Sequence, residues 1–134
     1  MSLQADVTPI QSDLDIVTAR SKARDIAKSL GFGAVDQARI ATAVSELARN
    51  IFLYADSGHV AARAVDRNGR KGIEIEFQDQ GPGIANIDQV MQDGYSTSRG
   101  MGMGLPGARR LMDEFDIQSR PGTGTTIVCR KWRL

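Results

Sequence analysis

The sequence predicts a two-layer α/β sandwich, with a mixed, mostly antiparallel sheet and helices on one of its faces. Two long amphipathic stretches come early, at 13–30 and about 36–54, and a shorter one follows residue 105. Two strand pairs close on short turns, at Asn68-Gly69 and Pro121-Gly122. Helices alternating with hairpins in this way bury one sheet face under a helical layer.

Each element has its own signal. Residues 7–10, V-T-P-I, read as a short edge strand, because Pro9 offers no ladder donor. Asp13 then caps a helix whose apolar positions Ile16, Val17, Ala19, Ala23, Ile26, Ala27 and Leu30 recur at steps of three and four. Gly31 and Gly33 stop it, as glycine beyond a helix end should. The second helix, about Asp36 to Tyr54, carries Val44, Leu47, Ala48 and Ile51 as its core stripe. Strands are expected at 59–66 and 72–79, joined through Asn68-Gly69 as a hairpin. Residues 86–92 read as a short helix, and 93–104 as a Gly-, Ser- and Thr-rich lid carrying Met101 and Met103. A helix from about Leu105 to Glu114 and strands near 115–119 and 124–132 complete the chain.

Bulk properties exclude several classes. A chain of 134 residues reads as one domain over 1–134, large enough to bury roughly two thirds of its unfolded surface. Seventeen basic and sixteen acidic side chains leave a net charge of +1, and no element carries the basic excess of a nucleic-acid reader. Apolar runs fall far short of the ~20 residues that span a bilayer, and Met1 to Ile10 has no basic start before an apolar stretch. Cys129 is the single cysteine and His59 the single histidine, too few for a disulfide or a zinc site. The expectation is a cytoplasmic protein with no nucleic-acid or membrane partner.

Four segments carry chemistry. In the second helix Glu46 and Asn50 lie four apart on one face, roughly opposite the Val44, Leu47 and Ile51 stripe. An amide oxygen beside a carboxylate suits a Mg²⁺-phosphate site, since Mg²⁺ takes one or two protein oxygens and keeps several waters. The carboxylate would accept a proton from an attacking hydroxyl. The bland alternative is a solvated face with Glu46 paired to Arg39 or Arg49. In the strand G-I-E-I-E-F-Q-D, period two puts Asp79 on the face of Ile73, Ile75 and Phe77. A carboxylate ending an apolar row needs hydrogen-bond donors, and an adenine amino group is one; a turn-capping Asp is the alternative. Gly81-Pro82-Gly83 then gives a bend that lets a flat base approach the backbone. Glycines 100, 102, 104 and 107 precede a helix with Pro106 near its first position. That arrangement suits an anion such as a triphosphate, although flexible loops share its composition. It is not a G-x-x-x-x-G-K-[ST] loop, and no H-R-D or D-F-G of the usual protein-kinase fold occurs. Gly122-Thr123-Gly124-Thr125-Thr126 opens the last strand with hydroxyls that would reach a base or a water beside it, or that simply form a hairpin turn.

In this order the segments resemble the GHKL, or Bergerat-fold, ATPase and kinase superfamily. E-L-A-R-N at 46–50 is similar to its N box, D-Q-G-P-G-I at 79–84 to its G1 box and G-M-G-L-P-G at 102–107 to its G2 box. S-E-L-A-R-N-I-F-L-Y-A, the Y-S-T-S of the lid and G-L-P-G-A-R-R-L-M-D-E-F narrow the resemblance to the stressosome switch serine/threonine kinases, from about Asp15 to Trp132. The resemblance implies the histidine-kinase-like ATPase fold and a site for ATP and Mg²⁺. It makes Glu46 the general base, Asn50 the metal ligand and Asp79 the reader of adenine. Gly81, Gly83, Gly102, Gly104 and Leu105 would shape the pocket, with Thr125 at the family's late threonine. The implied partners are STAS-domain stressosome proteins as substrates and a PP2C-type phosphatase that the released kinase activates. No phosphoacceptor-histidine helix is present, and His59 reads as structural. The alternative within the same superfamily is an ATP-dependent anti-sigma factor whose work is to hold a sigma factor or an anti-anti-sigma protein.

Overall fold

The computed structural model describes residues 5–55, 57–81 and 105–134. The expected helix at 86–92, the lid at 93–104 and residues Gly83, Gly102 and Gly104 lie outside the described residues.

The chain begins with β1 (Asp6–Pro9) and turns into α1 (Asp13–Ser29). Ser12, not Asp13, is the cap: its Oγ accepts from Asp15 N at 3.4 Å while Asp15 Oδ2 accepts from Gln11 N at 2.8 Å. The two bonds satisfy donors on both sides of the helix start, and Asp13 falls one place inside, where its charge favours the helix N-terminus. At the far end Gly31 takes φ +89°, Phe32 N donates to Ala27 O and Gly31 N to Lys28 O, a Schellman closure. Next comes α2 (Ala34–Tyr54), then β2 (Gly58–Arg67) and β3 (Arg70–Asp79). These strands pair in register through a turn in which Asn68 and Gly69 both have positive φ, the hairpin geometry their sequence predicts. The last described elements are α3 (Leu105–Leu111), β4 (Glu114–Arg120) and β5 (Gly124–Trp132).

Strand order is β1-β2-β3-β5-β4, with β1, which contains Pro9, at an edge. All four described pairings are antiparallel, so the expected mixed sheet is antiparallel throughout these strands. The reason lies in the insertion of β5. It sits between β3 and β4, which run in the same direction but do not touch.

Alternation along each strand builds the core. Val60 and Ala62 on β2, Ile73, Ile75 and Phe77 on β3, and Ile127 and Cys129 on β5 share the inner face. Ile16, Ala19, Ala23 and Ala27 of α1 join the same cluster. So do Ile40, Val44, Leu47, Ala48 and Ile51 of α2, and Leu105 and Ala108 of α3, so the helices lie on one face as expected. Burial pushes the Cys129 thiol up to about 12, which leaves it a packing residue.

The outer face is a lattice of charge. Glu74, 8% exposed, is held by Arg63 and by Arg130 Nε at 2.7 Å. Arg130 also reaches Glu114 at 3.2 Å, Arg67 bonds Glu114, and the Arg67 guanidinium sits 4.4 Å from the centre of the Trp132 ring.

α3 is shorter than the expected 105–114. Lys131 Nζ donates to Leu111 O at 2.9 Å and ends the helix, and Asp113 N has already turned to Arg130 O. Glu114 is then drawn into β4 by its Arg67, Trp132 and Arg130 partners. Gly107 lies inside this helix rather than before it, and an added Cβ would meet nothing within 4 Å.

Candidate functional site

Leu47, Asn50 and Ile51 of α2, Phe77 and Asp79 of β3, Leu105 of α3, and Thr125 and Ile127 of β5 converge on one pocket. Its walls are apolar and its polar groups few, the usual makeup of a small-molecule site. A roomier and wetter hollow opens beside it along the β4–β5 turn and shares Asp79 and Thr125.

Asp79 ends the apolar row of β3 as its period predicts, and register places Thr125 of β5 and then Ser119 of β4 beside it. These three side chains form a polar row across one end of the sheet's inner face. Asp79 Oδ1 accepts two backbone donors, Gly81 N at 2.9 Å and Thr125 N at 3.2 Å. Those two bonds fix the carboxylate plane, and Oδ2 makes no hydrogen bond with the described residues. One oxygen thus caps the turn, and the other is left without a donor among the described residues. Thr125 is buried, with its Oγ1 2.7 Å from Ser119 Oγ.

The Asp79–Thr125 approach depends on Gly124, whose φ is +144°. A Cβ there would stand 2.1 Å from Asp79 O, so no L side chain fits without moving β3 from β5. Gly81 is buried, and a Cβ on it would meet Ala55 Cα at 2.9 Å and Tyr54 O at 3.0 Å. Its missing side chain brings the exit of β3 against the end of α2 and so sets the spacing of two pocket walls.

Asn50 does not lie opposite the core stripe. It is half-buried and lines the pocket beside Leu47 and Ile51. The expectation fails because Ile40, Ala41, Ala43, Val44, Leu47, Ala48 and Ile51 are all buried, a wider apolar face than the stripe assumed, and Asn50 borders it. Glu46 is one turn earlier on α2, half-buried and outside the pocket lining. It has no ion-pair or hydrogen-bond partner among the described residues, and Arg39 pairs with Asp36 at 2.9 Å instead. His59 sits on β2 with Nε2 4.0 Å from Glu76 Oε1, away from the pocket lining.

Residues 35–134 match the histidine kinase-, DNA gyrase B- and HSP90-like ATPase family. The chain belongs to that family. It is 57% identical over 123 residues to the serine/threonine-protein kinase RsbT of Bacillus subtilis, with 92% of each chain covered. It is 34% identical over 101 residues to an anti-sigma F factor of Caldanaerobacter subterraneus, covering 71% of this chain and 69% of that one. The catalytic domain of histidine kinase ThkA superposes with a TM-score of 0.55 at 13% identity, covering 95% of both chains, a likeness of fold.

Sequence reasoning missed Ser119. The signal was available: in E-F-D-I-Q-S-R, period two puts Ser119 on the face of Phe115 and Ile117. A hydroxyl ending an apolar row is the same anomaly that marked Asp79. No helix among the described residues is long and apolar enough to cross a membrane.

Proposed function

We propose that this chain transfers the γ-phosphate of ATP to serine or threonine of STAS-domain stressosome proteins, and then binds and activates a PP2C-type phosphatase. Membership of the ATPase family makes it a nucleotide-using protein, and 57% identity to RsbT makes it an enzyme of the serine/threonine-protein kinase kind. The finer reading rests on that kinship and on the pocket.

The observation that carries the nucleotide assignment is the divided carboxylate of Asp79. One oxygen is locked by two backbone donors and the other has no donor among the described residues, in a side chain that lines a pocket with Leu47, Ile51, Phe77, Leu105 and Ile127. The lining would offer a flat base bearing an amino group apolar contact for its faces and an acceptor for its edge. Asn50 would offer an oxygen to Mg²⁺. No cluster of three His, Cys, Asp or Glu exists among the described residues, so the remaining ligands would be phosphate oxygens and water, as Mg²⁺ prefers. Bound Mg²⁺ would supply charge neutralisation along the phosphates. Glu46, with no partner among the described residues, would take the proton of the acceptor hydroxyl. Gly81, Gly83, Gly102 and Gly104 would shape the pocket, and Leu105 and Thr125 would line it.

Incubating the protein with Mg²⁺, labelled ATP and a purified STAS-domain protein tests this directly. Label on serine or threonine of the partner is the expected result. Nucleotide binding without transfer to any STAS protein would leave the second reading, an ATP-dependent anti-sigma factor. That reading is favoured by the anti-sigma F relatives at 31–34% identity, and its test is stable, ATP-dependent capture of a sigma factor.

A further inference from the structure

Proton accounting at the end of the sheet points to a role for Ser119. Its Oγ donates to Gly124 O at 3.1 Å, and a carbonyl can only accept. The single hydroxyl hydrogen of Ser119 is thereby committed. In the 2.7 Å contact between Ser119 Oγ and Thr125 Oγ1 the hydrogen therefore comes from Thr125. Thr125 spends its one donor on Ser119 and keeps only lone pairs for the pocket that it lines. Next to it the second oxygen of Asp79 is also an acceptor.

We infer that Ser119 is a positioning residue for base selectivity: it turns the Thr125 hydroxyl so that the pocket presents two acceptors, and so favours a base edge with an amino group over one with a keto oxygen. The inference rests on the reading of this pocket as the nucleotide site. An amino group satisfies acceptors, whereas a keto oxygen would face them with no hydrogen between. Without Ser119 the Thr125 hydroxyl is released to rotate and donate, and a keto oxygen then finds a partner. Ser119 lines the neighbouring β4–β5 hollow and not the apolar pocket, so on that pocket it acts through Thr125.

Inosine triphosphate tests the point, because it carries a keto oxygen where ATP carries the amino group; it also carries N1–H in place of a lone pair, a difference common to every variant that cancels when their ATP:ITP ratios are compared. Calorimetric Kd values for Mg-ATP and Mg-ITP would be compared for wild type, Ser119→Ala, Ser119→Thr, Thr125→Val and the Ser119→Ala/Thr125→Val pair. Wild type should prefer ATP. Ser119→Ala should narrow the ATP:ITP ratio by about 2–10-fold, the range of one neutral hydrogen bond. Ser119→Thr, which keeps the hydroxyl, should restore the ratio, and adding Ser119→Ala to Thr125→Val should leave it where Thr125→Val put it. Should Ser119→Ala not fold, Ser119→Cys replaces the hydroxyl by a weakly bonding thiol and reads the same ratio. Equal loss of affinity for both nucleotides would make Ser119 merely structural and overturn the inference, as would an unchanged ratio. Wild-type protein that binds neither nucleotide would overturn the reading of the pocket instead, and this inference with it.

Discussion

Replacing Asp79 with Asn separates its two oxygens experimentally. The amide keeps one oxygen, and the two backbone donors, Gly81 N and Thr125 N, will hold it in the place of Oδ1. The amide NH₂ then occupies the position of Oδ2 and points a donor at the amino group of the base. The fold should survive, because both backbone donors stay satisfied. Binding should not, because a hydrogen bond to a charged acceptor is worth about 1.5–3 kcal/mol, a loss of about 10–150-fold in affinity. Asp79→Ala is the contrasting change. It strips the acceptor from two donors, at about 1–3 kcal/mol for each one buried, and should cost stability as well as affinity. Titration calorimetry with Mg-ATP, paired with thermal melts, reads both quantities. Asp79→Asn that melts like wild type and binds ATP with wild-type affinity would refute the adenine assignment.

Three further outcomes are expected. Glu46→Gln should retain nucleotide affinity and lower kcat by about 10²–10⁴-fold, whereas Asn50→Ala should lose Mg²⁺-dependent affinity and activity together; equal loss of affinity and rate in Glu46→Gln would make Glu46 a structural residue. Gly124→Ala should destabilise by more than about 1 kcal/mol in urea denaturation, because its positive φ and the nearby Asp79 carbonyl both oppose a side chain; a midpoint equal to wild type would contradict that. The Arg67 guanidinium, with Trp132 and Arg130, holds the Glu114 carboxyl down at about 2, below its ordinary 4.5. Its stabilising contribution is complete above that ordinary value and is lost as pH falls toward the folded one, so Glu114→Gln should flatten the fall in melting temperature over that acidic window, and parallel curves would show that Glu114 contributes nothing.

The long elements were legible because periodicity reports burial directly. Asn68-Gly69, the alternation in β3 and the stripe on α2 each describe a local rule that the fold obeys. What was not legible depends on partners distant in sequence. α3 stops at Leu111 because Lys131, twenty residues on, takes its carbonyl. The sheet is antiparallel because β5 inserts between β3 and β4, an order that no local pattern records. Asn50 borders the core because the buried face of α2 is wider than the Val44, Leu47 and Ile51 stripe implies. Within the site, Asp79 was readable as an anomaly in an apolar row, and Ser119 carried the same mark but no glycine or motif drew attention to it.

The packing around Trp132 gives the molecule a built-in spectroscopic probe. It is the sole tryptophan of the chain, 7% exposed, with its indole nitrogen 3.0 Å from Glu114 Oε2 and Arg67 stacked over its ring. The ring lies over Gly72, where a Cβ would come within 2.5 Å of it. Gly72 and Asp79 are seven residues apart on β3, roughly 23 Å along the strand, and they face opposite sides of the sheet. Intrinsic fluorescence will therefore follow the unfolding of the outer face and stay nearly silent when a ligand enters the pocket. Stability and occupancy can be recorded on one sample without either signal contaminating the other.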